Sequence, residues 1–223
     1  YWLSGFKQGA WGLTEQITSP TSFSTAALVS TWRAHLGAIP WTVALQQFNV
    51  LNSHDTPRLR TAVGGSEALH KLAAILLFTY PGVPCLYYGD EVGLQDLPRL
   101  NSRGTMPWDP SEWDLDLLAF YKKLIHLRRS SSVLQTGSFQ EILEEEDTLA
   151  YLRESADEYA LVIAHRGPTS RPAAALPLFQ AGVEDGAVFT EYFSGERLIV
   201  RQGLLPLPEH PQGASIWLAS KLT

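Results

Sequence analysis

The sequence predicts a parallel α/β unit followed by an all-β module, and three observations carry that reading. Two apolar runs, Phe48-Asn49-Val50-Leu51 and Val83-Pro84-Cys85-Leu86-Tyr87-Tyr88, each break into a polar cluster. A helix-like stretch, residues 66–80, lies between them. Strand, helix, strand, with polar side chains gathered at the carboxyl end of each strand, is how a parallel α/β barrel displays a site. From about residue 133 the pattern changes to short alternating or apolar runs separated by turn residues, the signature of a small antiparallel sandwich.

The elements follow in order. Residues 24–36 have helical spacing, with Leu28, Trp32 and Leu36 on one face. Gly37 stops that helix and Pro40 starts a second over 40–47, because proline's fixed φ suits a first turn. Residues 43–52 pass into the first strand. Ser66 is the expected amino-terminal cap of helix 66–80, whose apolar stripe is Leu69, Leu72, Ala73, Leu76 and Leu77. Pro81-Gly82 ends it. The uninterrupted apolar run 83–88 fits a strand covered on both faces, with Cys85 as a small core residue. After a polar loop over 95–112, helix 116–129 turns Leu117, Leu118, Tyr121, Leu124 and Leu127 inward and ends on Arg128-Arg129, which complement its dipole. The β module is expected to use 139–143, 149–153, 159–165, 173–176, 187–193, 204–207 and 215–218. The acidic run Glu144-Glu145-Glu146-Asp147 is a solvated hairpin turn. Residues 1–11 begin abruptly in an apolar aromatic stretch, as if inside an element.

Bulk properties narrow the function. With 223 residues, 45% of them apolar, the chain has material for a sizeable core. A net charge of −6 with scattered lysines and arginines argues against nucleic acid, which needs a basic patch. No apolar run has bilayer-spanning length, so no membrane partner is expected. A single cysteine forms no internal disulfide. Seven tryptophans and eight tyrosines offer flat faces for sugar rings, although most aromatics fill cores.

His54-Asp55-Thr56-Pro57-Arg58 and Tyr87-Tyr88-Gly89-Asp90-Glu91-Val92-Gly93, in that order and separation, resemble two late motifs of the α-amylase family of retaining glycoside hydrolases. The wording is nearest its maltodextrin glucosidase, neopullulanase and cyclomaltodextrinase branch. Asn101-Ser102-Arg103-Gly104-Thr105-Met106-Pro107-Trp108-Asp109 is similar to the substrate-side loop that follows in that branch. One departure stands out: the branch commonly has an acidic residue and a proline shortly before this arginine, where this chain has Arg99-Leu100.

The resemblance implies a fold of α/β plus all-β type. Residues 1–130 would be the last three βα units (strands 6–8) of a TIM (β/α)8 barrel, and residues 131–223 a carboxyl-terminal β-sandwich. It implies cleavage of α-1,4 links in maltodextrins, with an α-glucan oligosaccharide as ligand. Retaining glycosidases set a nucleophile and a proton donor roughly 5–5.5 Å apart around an oxocarbenium-like transition state. By resemblance Asp55 is a third acid, which stabilises that transition state, and His54 donates to the same sugar. Arg103 is a substrate-contact candidate, since a guanidinium fork fixes orientation well; as a loop arginine it is equally readable as idle. On spacing alone, His54 and Asp55 also read as a loop tie, with Asp55 and Arg58 as a local ion pair. Arg58 therefore stands as a substrate contact or as the charge that keeps Asp55 ionised. Tyr88, Asp90 and Glu91 are supporting residues. In an extended chain Asp90 and Glu91 point to opposite faces, one to the barrel mouth and one to a loop anchor.

The family's nucleophile and proton donor belong to motifs upstream of His54-Asp55, and neither occurs here. Before Ser53 the single acid is Glu15, in a Gly/Thr-flanked loop. The expected partner is thus the amino-terminal portion of the same enzyme, without which the chain is inactive. A transglycosylase or sugar isomerase of the same superfamily, and a non-catalytic glucan-binding piece, are the alternatives. No cofactor is expected, a cytoplasmic location is, and a homodimer stays open.

Overall fold

The computed structural model describes residues 2–3, 22–97 and 102–221. Most of the apolar aromatic stretch 1–11, Glu15 and Arg99-Leu100 lie outside them.

Helix α1 (Thr25–Gly37) begins where the Ser24 hydroxyl accepts from the Ala27 N–H, and it turns Val29 inward. The short α2 (Trp41–Ala44) starts after Pro40. Strand β1 (Phe48–Asn49) pairs in parallel with β2 (Val83–Pro84), and the register is Phe48 to Val83 and Asn49 to Pro84. Between them come the short α3 (Leu59–Ala62) and the buried α4 (Glu67–Thr79), capped by Ser66 on the Leu69 N–H. Gly82 joins α4 to β2 at φ +116; a β-carbon there would lie 2.5 Å from Asn49 Nδ2 and 2.8 Å from the Gln47 carbonyl. Only glycine allows that approach.

Both parallel strands are shorter than the apolar runs predict. Among the described residues they pair only with each other, and the chain after Cys85 turns away to build the rim. Side chains alternate across the pair: Leu86 packs on the core beneath, whereas Phe48, Val50 and Val83 are exposed, Phe48 by 77%. Cys85 shares the open face with Val83 and is exposed, so its expected core placement is corrected. A cleft of about 590 Å³ opens beside this face, lined by Trp32, Phe48, Val50, Leu59 and Leu76 among others.

Helix α5 (Leu115–Ser130) is capped by Asp114 on the Leu117 N–H and buries Leu117, Tyr121, Leu124 and Leu127; α6 (Ser132–Thr136) follows at once. The remaining strands are β3 (Ser138–Glu144), β4 (Thr148–Glu154), β5 (Glu158–His165), β6 (Ala174–Pro177), β7 (Val188–Glu191), β8 (Arg197–Ile199), β9 (Leu204–Leu207) and β10 (Gly213–Ser220). An antiparallel sheet runs β3-β4-β5-β10-β7-β8, and β6-β9 form a two-stranded ribbon. Both faces of the large sheet are apolar, which explains the unbroken runs. Leu149, Tyr151, Ala160, Val162 and Ile216 join Leu72, Leu76, Leu117, Tyr121 and Leu124 of α4 and α5 in one core. The alternate residues Ala150, Leu152, Leu161, Ile163 and Trp217 join Leu176, Leu205 and Leu207 of the ribbon in another. Period-two alternation thus feeds two cores from one sheet. The sheet is a middle layer between helices and ribbon, and the two partners of the expected sandwich are very unequal.

Two arginines, Arg153 buried and Arg128 half-buried, tie the carboxyl end of α4 to its neighbours through backbone carbonyls. Arg153 donates to the carbonyls of Ser138 (2.8 Å), Thr79 (2.6 Å) and Gly137 (2.8 Å). Arg128 donates to the carbonyls of Phe78, Leu134 and Gly82. Both cover the carboxyl end of α4, where unpaired carbonyls and the helix dipole favour cations. Burial and the nearby Arg128 lower the Arg153 pKa to about 10.

Candidate active site

After β1 the chain makes a tight turn. The Ser53 N–H donates to Thr56 Oγ1 (2.8 Å), the Thr56 N–H to the Ser53 carbonyl (3.2 Å), and the Asp55 N–H to Ser53 Oγ (3.2 Å). The turn lifts His54 and Asp55 to the open rim. One carboxylate oxygen of Asp55, Oδ2, lies 3.2 Å from His54 Nε2. The other, Oδ1, accepts from Arg103 Nη2 at 3.0 Å. Asp55 remains 39% exposed at its side chain, so it faces open space while held from two sides.

Arg103 is seated by more than this ion pair. Its Nε donates to the His54 carbonyl at 3.1 Å, and Ser102 Oγ donates to the same oxygen at 3.0 Å. The Tyr87 hydroxyl donates to the Ser102 carbonyl (3.2 Å) and the Tyr88 hydroxyl to the Gly104 carbonyl (2.7 Å). Segments after β1 and β2 therefore both grip the loop 102–104.

Arg58 departs from both expectations. It does not pair with Asp55, and it is fully buried, out of reach of a ligand at the rim. Its Nη1 lies 3.7 Å from Asp90 Oδ1 and donates to the Tyr88 carbonyl. Its Cζ sits 4.2 Å from the Tyr87 ring centroid and 4.4 Å from that of Tyr88. The rings occupy the space hydrogen-bond partners would need, and Nε and Nη2 have none. Cation–π attraction takes their place. The backbone N–H of Arg58 donates to Asp96 Oδ1 at 2.9 Å.

Asp90 and Glu91 do not lie on an extended chain. They open a 3-10 turn, Asp90–Val92, flanked by Gly89 and Gly93 at φ 86 and 78. Alternation across a strand therefore does not separate them. Asp90 is buried and its Oδ1 accepts from Asn52 Nδ2 at 3.0 Å. Burial raises its pKa to about 7, against the opposing pull of Asn52 and Arg58. Beneath it His70, paired through Nε2 with the Tyr121 hydroxyl at 3.0 Å, is held down at about 4, chiefly by burial. Glu91 keeps Oε2 buried and unpaired.

Of the residues picked from the sequence, His54, Asp55 and Arg103 come together at the surface, Arg58 and Asp90 are buried below, and the exposed Tyr88 bonds to Arg58 through its carbonyl and to the Arg103 loop through its hydroxyl. Asn52, Tyr87 and Ser102 are further members that pattern reading missed. Asn52 had one available signal, a polar residue at the end of an apolar run.

Residues 6–114, which contain all of these side chains, match the family model for the alpha amylase catalytic domain. The chain belongs to the α-amylase family. This α-amylase-family chain is 42% identical over 130 residues to a cyclomaltodextrinase of Bacillus sp, covering 57% of this chain and 23% of that protein. It is 32% identical over 182 residues to neopullulanase 2 of Thermoactinomyces vulgaris, covering 80% of this chain and 30% of that one. A crystal structure of a Thermus thermophilus protein superposes with a TM-score of 0.80 at 28% identity, covering 96% of this chain and 44% of that one. The chain thus spans less than a third of these curated relatives. Among its described residues, no helix of this family member is long and apolar enough to cross a membrane.

Proposed function

We propose that the whole protein is a retaining α-glucan hydrolase that cleaves α-1,4-glucosidic links of maltodextrins in the cytoplasm. Asp55 stabilises the transition state, and His54 and Arg103 contact the sugar it holds. The observation that carries this reading is the doubly held Asp55 carboxylate at an open rim, one oxygen on His54 and one on Arg103. A carboxylate fixed on both sides needs little reorganisation when positive charge develops at a sugar carbon, which is where preorganised groups contribute most. Arg103 has further N–H donors beyond the one on Asp55, and His54 has a second ring nitrogen, so both well-exposed side chains contact ring hydroxyls while the carboxylate stays held.

In this reading residues 1–130 contribute the last βα units of the barrel and residues 131–223 the carboxyl-terminal β domain. The nucleophile and proton donor come from polypeptide outside the 223 residues. Asp90, Arg58, Tyr88 and Glu91 support the rim and touch no substrate. Two assays on maltotriose test the proposal. The 223-residue chain alone should release no glucose. In the whole protein Asp55→Asn should lower turnover by about 10²–10³. An undiminished rate in that variant rejects the role of Asp55, and longer oligosaccharide products from the unaltered protein point to transglycosylation instead.

A further inference from the structure

The loop that delivers Arg103 continues into a feature that the proposed chemistry leaves unused. Trp108 is 80% exposed, the most exposed of the large apolar side chains among the described residues. Its backbone is nevertheless well held. Upstream, the Gly104 carbonyl is bound by the Tyr88 hydroxyl at 2.7 Å. Downstream, Trp113 Nε1 donates to the Pro107 carbonyl at 2.6 Å, Asp109 Oδ1 accepts from the Ser111 N–H at 2.9 Å, and the Asp114 N–H donates to the Val92 carbonyl at 3.2 Å. Pro107 and Pro110 further restrict the chain. A rigid loop thus projects a large flat ring into open space.

The tether fixes how far that ring lies from the rim. Trp108 is four positions on from Gly104, a reach of at most about 14 Å when fully extended. Gly104 itself follows Arg103, which is bonded to Asp55. The indole therefore lies within a few sugar rings of the Asp55 carboxylate. A ring on a held backbone has only its own side-chain torsions to lose on binding, and its π face suits the apolar C–H face of a pyranose.

We propose that Trp108 is a stacking platform for a glucosyl unit of a bound α-glucan, removed by a few units from the bond that Asp55 serves. This rests on the reading of Asp55 given above, and it makes Trp108 a determinant of chain-length preference. The ligand is a neutral α-1,4-linked oligosaccharide long enough to reach from Asp55 to the indole.

The test is an NMR titration of the 223-residue chain that follows the seven indole N–H resonances, with Trp108 assigned by Trp108→Phe. Maltoheptaose should move the Trp108 resonance saturably and cellohexaose should leave it in place. A resonance that neither sugar moves, or that both move alike, overturns the proposal. In the whole protein Trp108→Ala should raise KM for maltoheptaose about fivefold while KM and kcat on maltotriose hold. Equal effects on both substrates overturn it. If Asp55→Asn leaves turnover intact, the role assigned to Asp55 fails by itself, and the titration still reports whether Trp108 binds glucan.

Discussion

Arg58 and Asp90 meet beneath the rim, guanidinium to carboxylate at 3.7 Å, each almost completely removed from solvent. The pair links the segments after β1 and β2, and its two members are unequally satisfied. Asp90 has Asn52 as a donor, while Arg58 keeps two nitrogens without partners between tyrosine rings.

Removing the guanidinium should therefore be costly in a pH-dependent way. Arg58→Met leaves Asp90 buried without its cation, and losing one member of a buried pair costs about 3–5 kcal/mol. Urea denaturation at pH 8 should register a loss of that size. At pH 5 the loss should be smaller, because Asp90 then carries a proton and has no charge to be compensated. Equal losses at both pH values would show that the pair matters through packing alone.

Asp90 and His70 should influence the pH profile in opposite directions. Asp90 is raised from 3.8 to about 7 in the fold. As pH falls from 7 toward 4 the folded state takes up a proton before the unfolded state does, so stability rises, at a limit of about 1.4 kcal/mol per pH unit. His70 is lowered from 6.5 to about 4, so in nearly the same window the unfolded state binds the proton first and stability falls. The two contributions offset each other. Asp90→Asn should unmask a decline in stability below pH 6.5, and His70→Gln should unmask a gain. Thermal unfolding at half-unit pH steps tests this, and parallel profiles for all three proteins would refute it.

Arg153 should be more important to stability than its lack of any acidic partner implies. Replacing it by leucine leaves the carbonyls of Thr79, Gly137 and Ser138 short of a donor in the interior. Each buried unsatisfied group costs about 1–3 kcal/mol, so a loss of at least ~3 kcal/mol is expected. Equilibrium denaturation of Arg153→Leu measures it.

Gly82→Ala should destabilise by about 1–3 kcal/mol, because the left-handed φ and the approach of Asn49 and Gln47 both exclude a β-carbon. The displaced strand should also expose the Val83 and Cys85 amides, whose bonds to the Gln47 and Asn49 carbonyls hold β2 to β1. Faster hydrogen exchange at those two amides, with unchanged exchange in β5 and β10, is the expected pattern.

The helices were legible because their signals are local. Ser66 caps α4 and Leu72 and Leu76 face its core as the spacing predicts. Strands β4, β5 and β10 announced themselves through apolar runs that serve two cores. Strand β8 gave no such signal, since Arg197 and Ile199 are exposed and only Leu198 packs inward. The run 187–193 was too long because Glu191 is buried and its carboxylate caps the N–H groups of Phe193 and Ser194, which breaks the ladder. At the rim, sequence proximity suggested that Arg58 served Asp55. In the fold the arginine on Asp55 comes from 48 residues away, and Arg58 turns inward to Asp90. Pairing across loops depends on how strands bring them together, which spacing along the chain does not encode.

The core shared by α4, α5 and one face of the large sheet limits how relatives can be recombined. Tyr151, Val162 and Ile216 share one core with Leu76, Tyr121 and Leu124, and Arg153 reaches through that contact to the end of α4. A chimera spliced near residue 131 would join surfaces that never matched one another. One spliced ahead of Ser66 would keep α4, α5 and the sheet together but still part them from Trp2, Leu28 and Trp32, which pack on the same core, so the matched set reaches back through α1.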